Sequence, residues 1–230
     1  MAYQLHTHSD AASAAQALAA EVAQALAQTV AEKGRAVLAV SGGRSPIAFF
    51  QALSQTDLAW DKIAVTLVDE RIVPTDHADS NTGLVRDYLL QNRAAAAEWI
   101  PQIEDGKTEG GLNPQDALAF ALQHYRQPDV LVLGMGADGH TASLFPQAPQ
   151  LEAALETAQP LVHTTPVTAP HERISMSLEA IAAAPYVFLA IQGAEKLAVF
   201  EKAAEAASAE YPVGLVLNHE GIRCHVCYAE

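Results

Sequence analysis

An acid and an imidazole stand two positions apart in Asp138-Gly139-His140, inside a glycine-rich stretch from Gly134 to Pro146 that directly follows the apolar run Val130-Leu131-Val132-Leu133. An imidazole titrating near neutrality takes a proton from water, and a neighbouring carboxylate orients it or raises its basicity. The glycines let the backbone approach a ligand and offer amides to a developing oxyanion. A histidine in a chain of this size also reads as a satisfied structural residue. Its position on a glycine turn after a buried strand favours the chemical reading. His77, His124 and His163 lack such a setting and read as structural.

A second candidate is Ser41-Gly42-Gly43, followed by Arg44-Ser45-Pro46. Strand-to-helix turns of this kind bind phosphate, because unpaired N–H groups and the helix dipole converge there, although a tight turn without a ligand fits the same residues. The turn lacks the spacing of the nucleoside-triphosphate and dinucleotide loops and of a serine nucleophile elbow. An anionic substrate also needs cations. Arg71 in Asp69-Glu70-Arg71, Arg173 at the head of an apolar run and Lys196 in the first turn of a helix are the candidates, with ordinary surface charge as the alternative for each. A lysine at a helix N-terminus opposes the dipole, which a bound anion would help explain. Asp69 falls on the same sheet edge, where a solvated loop is the alternative reading.

The elements that must position these residues follow from periodicity. Ser9 or Asp10 caps a helix from Ala11 to about Glu32, with Leu18, Val22, Leu26 and Val30 repeating every four residues and Gly34 ending it. Strands are expected at 35–40, 63–68, 130–133, 174–178, 186–191 and 222–228. Helices are expected from Pro46 or Ile47, from about Thr82 to Leu90 behind Asp79-Ser80-Asn81, and over 114–125 and 194–207. The alternation predicts a mainly parallel sheet covered by helices, with ligands at the carboxyl ends of its strands. With neither linker nor repeat, residues 1–230 read as one compact α/β domain.

Composition narrows the function classes. A formal charge of −14, with 13 Lys and Arg that form no basic stripe, argues against nucleic acid and anionic membrane surfaces as partners. No apolar run approaches the roughly 20 residues a membrane-spanning helix needs, and Met1 to His8 carries neither a basic leader nor an apolar core, so a cytoplasmic location is expected. Cys224 and Cys227 are the only cysteines. Without a second ligand cluster or a strand-to-helix setting, they read as two residues of a terminal strand.

Four ordered motifs together resemble the 6-phosphogluconolactonase family: Val40 to Pro46, Val68 to Pro74, Asp79-Ser80-Asn81, and Leu133 to Pro146. The resemblance extends over most of the chain. It implies a three-layer, Rossmann-like, mostly parallel sheet with helices on both faces, the superfamily fold shared with glucosamine-6-phosphate deaminases and ribose-5-phosphate isomerases. It also implies hydrolysis of 6-phospho-D-glucono-1,5-lactone in the oxidative pentose phosphate pathway, with a sugar-phosphate lactone as partner and without cofactor or metal. The deaminases share the Ser-Gly-Gly and Asp-Gly-His turns, but Leu144-Phe145-Pro146 after the histidine and Arg71 after Asp69-Glu70 are the lactonase form.

By that likeness His140 activates water, Asp138 supports it, and Ser41, Gly42, Gly43, Arg173 and Lys196 hold the 6-phosphate. Arg71 contacts substrate near its phosphate or carbonyl end. Asp69 matches the deaminase proton-abstracting carboxylate by position, but lactone hydrolysis needs no ring-carbon deprotonation. An aminosugar-phosphate deaminase or isomerase, and a sugar-phosphate sensor without turnover, are the competing readings.

Overall fold

The computed structural model describes residues 3–230. Met1 and Ala2, part of the stretch read as carrying no leader, lie outside the described residues. Seven parallel strands make the main sheet: β1 (Tyr3–His8), β2 (Ala36–Val40), β3 (Ile63–Leu67), β5 (Glu98–Trp99), β6 (Val130–Gly134), β9 (Tyr186–Gln192) and β10 (Cys224–Ala229). Their spatial order is β1-β10-β9-β6-β2-β3-β5. The central strands β2 and β3 are buried at every residue, as a parallel sheet covered on both faces requires. Alternate residues feed opposite cores: Leu38 and Val40 join one cluster, while Ala39 joins the other.

Helices α1 (Ala11–Lys33), α2 (Ile47–Ser54) and α3 (Asn81–Tyr88) cover the first face. Asp10 caps α1 by accepting from the Ser13 amide at 2.7 Å, and Gly34 ends it in the left-handed conformation with φ 79°. Leu18, Val22 and Leu26 are buried as the four-residue repeat predicts, with Val30 half-buried. The other face packs against α4 (Pro114–His124), α5 (Leu151–Glu156), α6 (Leu178–Ala182), α7 (Ala194–Glu205) and α8 (Pro212–Leu217).

A second sheet on this face was not expected. It is three-stranded and antiparallel, ordered β4 (Asp69–Arg71), β8 (Arg173–Met176) and β7 (Leu161–Thr164). The solvated-loop reading of Asp69-Glu70-Arg71 is therefore corrected: the charged triplet is a strand, and Asp69 and Glu70 are buried. The chain leaves the main sheet at Val68, whose amide still bonds to Val40 at 3.0 Å and whose carbonyl accepts from Met176 at 2.8 Å. It enters the small sheet one residue later. The extended segment predicted to reach Leu178 stops at Met176, because Ser177 caps α6.

Cys224 and Cys227 both lie on β10, as read from the sequence, and are free. Their odd separation sends Cys224 into one core cluster and Cys227 into the other, so their thiols sit on opposite faces of the sheet.

Candidate active site

Strands β2 and β6 are neighbours from which the chain continues in opposite directions, toward β3 on one side and β9 on the other. Such a switch point opens a crevice at the carboxyl ends of the strands. The first residues beyond β2 and the end of β6 are cross-linked there. The Ser41 amide donates to the Val132 carbonyl at 2.9 Å, and the Gly134 amide donates to Ser41 Oγ at 3.0 Å. A cavity of about 570 Å³ lies at this edge, a size suited to a small polar metabolite.

One wall is the loop after β6. The Gly136 amide donates to the His140 carbonyl at 3.0 Å, the Gly139 carbonyl accepts from Val213 of α8 at 2.9 Å, and Thr141 Oγ1 donates to the Gly134 carbonyl at 2.8 Å. His140 Nδ1 lies 2.5 Å from Asp138 Oδ1. Because that nitrogen faces a carboxylate, it carries the proton, and Nε2 keeps its lone pair. Burial pushes the Asp138 carboxyl up, but the interactions with His140, its side-chain hydrogen bond first, more than offset it and hold the group below its usual range. Glycine is required at 136, because a Cβ there would occupy the space of the imidazole and of Asp138 Oδ1.

The same cavity is lined by the cations. Pairing in register places Arg71 of β4 opposite Arg173 of β8, and Asp69 opposite Ser175. Period-two alternation sends Asp69 and Arg71 to the cavity and Glu70 to the far side. Glu70 is fully buried there and accepts from the amides of Arg71, Asn81 and Thr82 at 2.7, 2.8 and 2.7 Å, and from the Thr82 and Ser80 hydroxyls at 2.8 and 3.2 Å. It thereby ties β4 to the N-terminus of α3.

Arg71 Nη1 donates to the Asp79 carbonyl at 2.6 Å. Arg173, 5% exposed, donates to the Pro170 and His171 carbonyls at 2.9 and 3.3 Å, with Nη1 3.9 Å from Asp69 Oδ2. Burial lowers its pKa, yet a guanidinium stays charged at any pH where the protein folds. Asp69 also accepts from Ser143 Oγ at 2.6 Å. Lys196, in the first turn of α7, is half-buried at the cavity wall, and burial lowers its pKa against the opposing pull of Asp138. Among the described residues it makes no salt bridge.

The sequence profile of the family described as glucosamine-6-phosphate isomerases/6-phosphogluconolactonase matches residues 9–225. A curated 6-phosphogluconolactonase of Neisseria meningitidis is 65% identical over 227 residues, 98% of each chain. The chain belongs to this family. A solved structure described as a putative 6-phosphogluconolactonase of Neisseria gonorrhoeae, 65% identical, superimposes with a TM-score of 0.98 over 99% of this chain and all of that one. The structure of a 6-phosphogluconolactonase from Shewanella baltica, 37% identical, gives 0.90 over 98% of this chain and 97% of that one. The α/β fold with its mostly parallel sheet is the family fold.

Every residue singled out from the sequence meets at this one edge. Ser41, Gly42, Gly43, Asp69, Arg71, His140, Arg173 and Lys196 line the cavity, and Asp138 stands behind His140. Three other members of the site escaped the sequence reading. Asn81 opens α3, lines the cavity and donates to the Asp69 carbonyl at 3.0 Å; it also occupies the space a Cβ at Gly42 would need. Arg44 lines the mouth from within the glycine turn. Phe145 stacks on His140 and also lies near Arg173, whose Cζ is 5.7 Å from the ring centroid. Asn81 and Phe145 both stand in the quoted motifs, Asn81 as part of a helix cap and Phe145 as part of the lactonase form of the turn.

Proposed function

We propose that this protein hydrolyses 6-phospho-D-glucono-1,5-lactone to 6-phosphogluconate in the oxidative pentose phosphate pathway, with His140 activating the water. Sugar-lactone hydrolysis is the activity that 65% identity to curated lactonases over nearly the whole chain indicates. The observation that carries the mechanism is the His140–Asp138 pair at 2.5 Å, at one cavity with Arg71, Arg173 and Lys196.

The substrate's 6-phosphate is held by Arg173 and Lys196 together with the Ser41-Gly42-Gly43 turn, which leaves the ring carbonyl toward His140. Water attacks C1 while Nε2 of His140 takes its proton, and the imidazolium is stabilised by Asp138. Arg71 or a glycine-turn amide offsets the oxyanion charge. Collapse breaks the bond from C1 to the ring oxygen, which receives the proton back from His140. The acid product ionises to carboxylate. A sugar δ-lactone is already an activated ester, so general-base help of about 10² to 10⁴-fold plus orientation suffices without nucleophilic serine, metal or cofactor. Asp69, engaged by Ser143 and near Arg173, acts as an anchor for that arginine.

One compact α/β domain accounts for the activity, and a cytoplasmic location suits a pathway on free sugar phosphates. Among the described residues no helix is long and apolar enough to cross a membrane. Purified protein is expected to open 6-phosphogluconolactone well above its spontaneous rate, and His140→Ala to remove about 10² to 10⁴-fold of that acceleration. Full acceleration in the variant sinks the mechanism. Ammonia release from glucosamine 6-phosphate would instead identify a deaminase, and binding of 6-phosphogluconate without turnover a sensor.

A further inference from the structure

Three loops meet outside the cavity, behind its arginine wall. The loop between β4 and α3 brings His77 and Asp79, the β7–β8 connection brings His171, and a turn before α4 brings Glu109. One ring nitrogen from each histidine and one carboxylate oxygen of Asp79 all lie within 4.8 Å of one another. His171 Nε2 is 3.0 Å from Asp79 Oδ2, the two imidazoles stand edge to face with centroids 5.5 Å apart, and His77 Nε2 is 3.9 Å from Glu109 Oε1. His171 adopts φ 67°, in the left-handed region where histidine is among the commoner non-glycine residues. None of these side chains touches the cavity that the hydrolysis uses.

We propose that His77, Asp79 and His171 form a binding site for a zinc-like divalent ion, with Glu109 or water as fourth ligand, that staples the loops holding Arg71 and Arg173. Two imidazoles and a carboxylate are the donor set of borderline transition metals, whereas calcium and magnesium take oxygen ligands. Ligands of one tetrahedral zinc, with bonds of about 2.1 Å, lie about 3.4 Å apart. Closing from as far as 4.8 Å asks for shifts of up to about an ångström, shared among half-buried or exposed side chains. Loading exchanges two hydrogen bonds for metal bonds. The proton between His171 Nε2 and Asp79 moves to Nδ1 or to solvent, and His77 Nδ1 gives up or reorients its 3.0 Å contact with the Asp79 amide.

The structural consequence runs through main-chain carbonyls. Asp79 holds Arg71 by its carbonyl, and His171 holds Arg173 by its own. An ion joining their side chains therefore fixes the placement of both guanidinium groups without entering the reaction.

Calorimetric titration of the full-length protein with zinc chloride in a non-chelating buffer tests it. One ion per chain is expected, with affinity falling by more than about tenfold in His77→Ala/His171→Ala, since even outer-shell losses cost about 10 to 100-fold. Cobalt(II) should give the intense visible absorption of a tetrahedral site in the wild type and lose it in the double variant. If the double variant fails to fold, Asp79→Asn, at an exposed side chain, carries the same comparison. Absence of binding, or equal affinity in wild type and variant, which would place the ion on other histidines, overturns the proposal.

Discussion

Phe145 lies against the face of the His140 imidazole, ring centroids 3.9 Å apart and planes inclined by 25°, while Gly136 leaves room for the same imidazole only because it has no side chain. The candidate base is thus held by a carboxylate at Nδ1, an aromatic ring on one face and bare backbone beside it. Two of these three restraints are apolar or steric, and they fix the ring orientation.

Phe145→Leu should loosen the imidazole while keeping the site filled. Loss of the stacking, worth about 0.5–1.5 kcal/mol, should appear as a fall in kcat of about two- to twelvefold, with KM nearly unchanged. Steady-state kinetics with freshly prepared 6-phosphogluconolactone decides it. A variant whose KM rises while kcat holds would assign Phe145 to substrate binding through Arg173 instead.

Asp138→Asn keeps the shape of the pair but removes the acceptor that fixes the tautomer. An amide can donate to Nδ1, which moves the ring proton to Nε2 and leaves no lone pair facing the cavity. The expected loss in kcat is about 10² to 10⁴-fold, the range of general-base help. There is also a stability signature. The folded pKa of Asp138 is depressed below 3.8, so its contribution is complete above that value and is lost as pH falls through the lower folded value. Urea midpoints of wild type and variant should therefore differ near neutrality and converge in acid; curves that stay parallel down to strong acid contradict it.

Lys196 gives a test of the cations that line the site. Burial lowers its pKa from 10.5, so the unliganded side chain loses its charge at a pH below that of an ordinary lysine. Binding of 6-phosphogluconate, followed by calorimetry, should weaken as pH rises through that range. In Lys196→Arg it should stay flat, because a guanidinium does not deprotonate. Lys196→Ala should weaken binding by about tenfold, as loss of one charge-assisted contact does, and should leave binding of unphosphorylated gluconate unaffected. Identical pH profiles for wild type and the arginine variant would show that Lys196 is not the group sensed.

The sequence made the parallel core readable because β2 and β6 are apolar runs closed by Ser41-Gly42 and by Gly134, where both the periodicity and the turn chemistry agree. It made the small sheet unreadable for an equally physical reason. Asp69-Glu70-Arg71 is a strand only because β8 pairs with it, and its middle carboxylate is buried only because α3 points three donor residues at it. Helices α6 and α8 are too short for a 3.6-residue period to accumulate. Strand β1, Tyr3–His8, is mostly exposed at the sheet edge, and its two apolar side chains, Tyr3 and Leu5, are too few to mark a period. In the site, charged residues on turns announced themselves. Asn81 and Phe145 did not, since a cap and a core aromatic are what those positions ordinarily hold.

Glu70→Gln probes that hidden strand most directly. All five partners of the carboxylate act as donors. An amide nitrogen in place of Oε1 faces the Arg71 and Asn81 amides; in place of Oε2 it faces the Thr82 amide, while the two hydroxyls turn to accept. The second orientation costs least and still orphans one buried backbone donor, for a destabilisation of about 1–3 kcal/mol, readable as a lower urea midpoint at unchanged m-value. Because Glu70 joins β4 to α3, the loss should also move Arg71 and Asn81, raising KM for the phosphorylated lactone more than it lowers kcat. Wild-type stability in Glu70→Gln would mean that the carboxyl is already protonated in the folded protein, with one oxygen acting as a donor to a neighbouring hydroxyl.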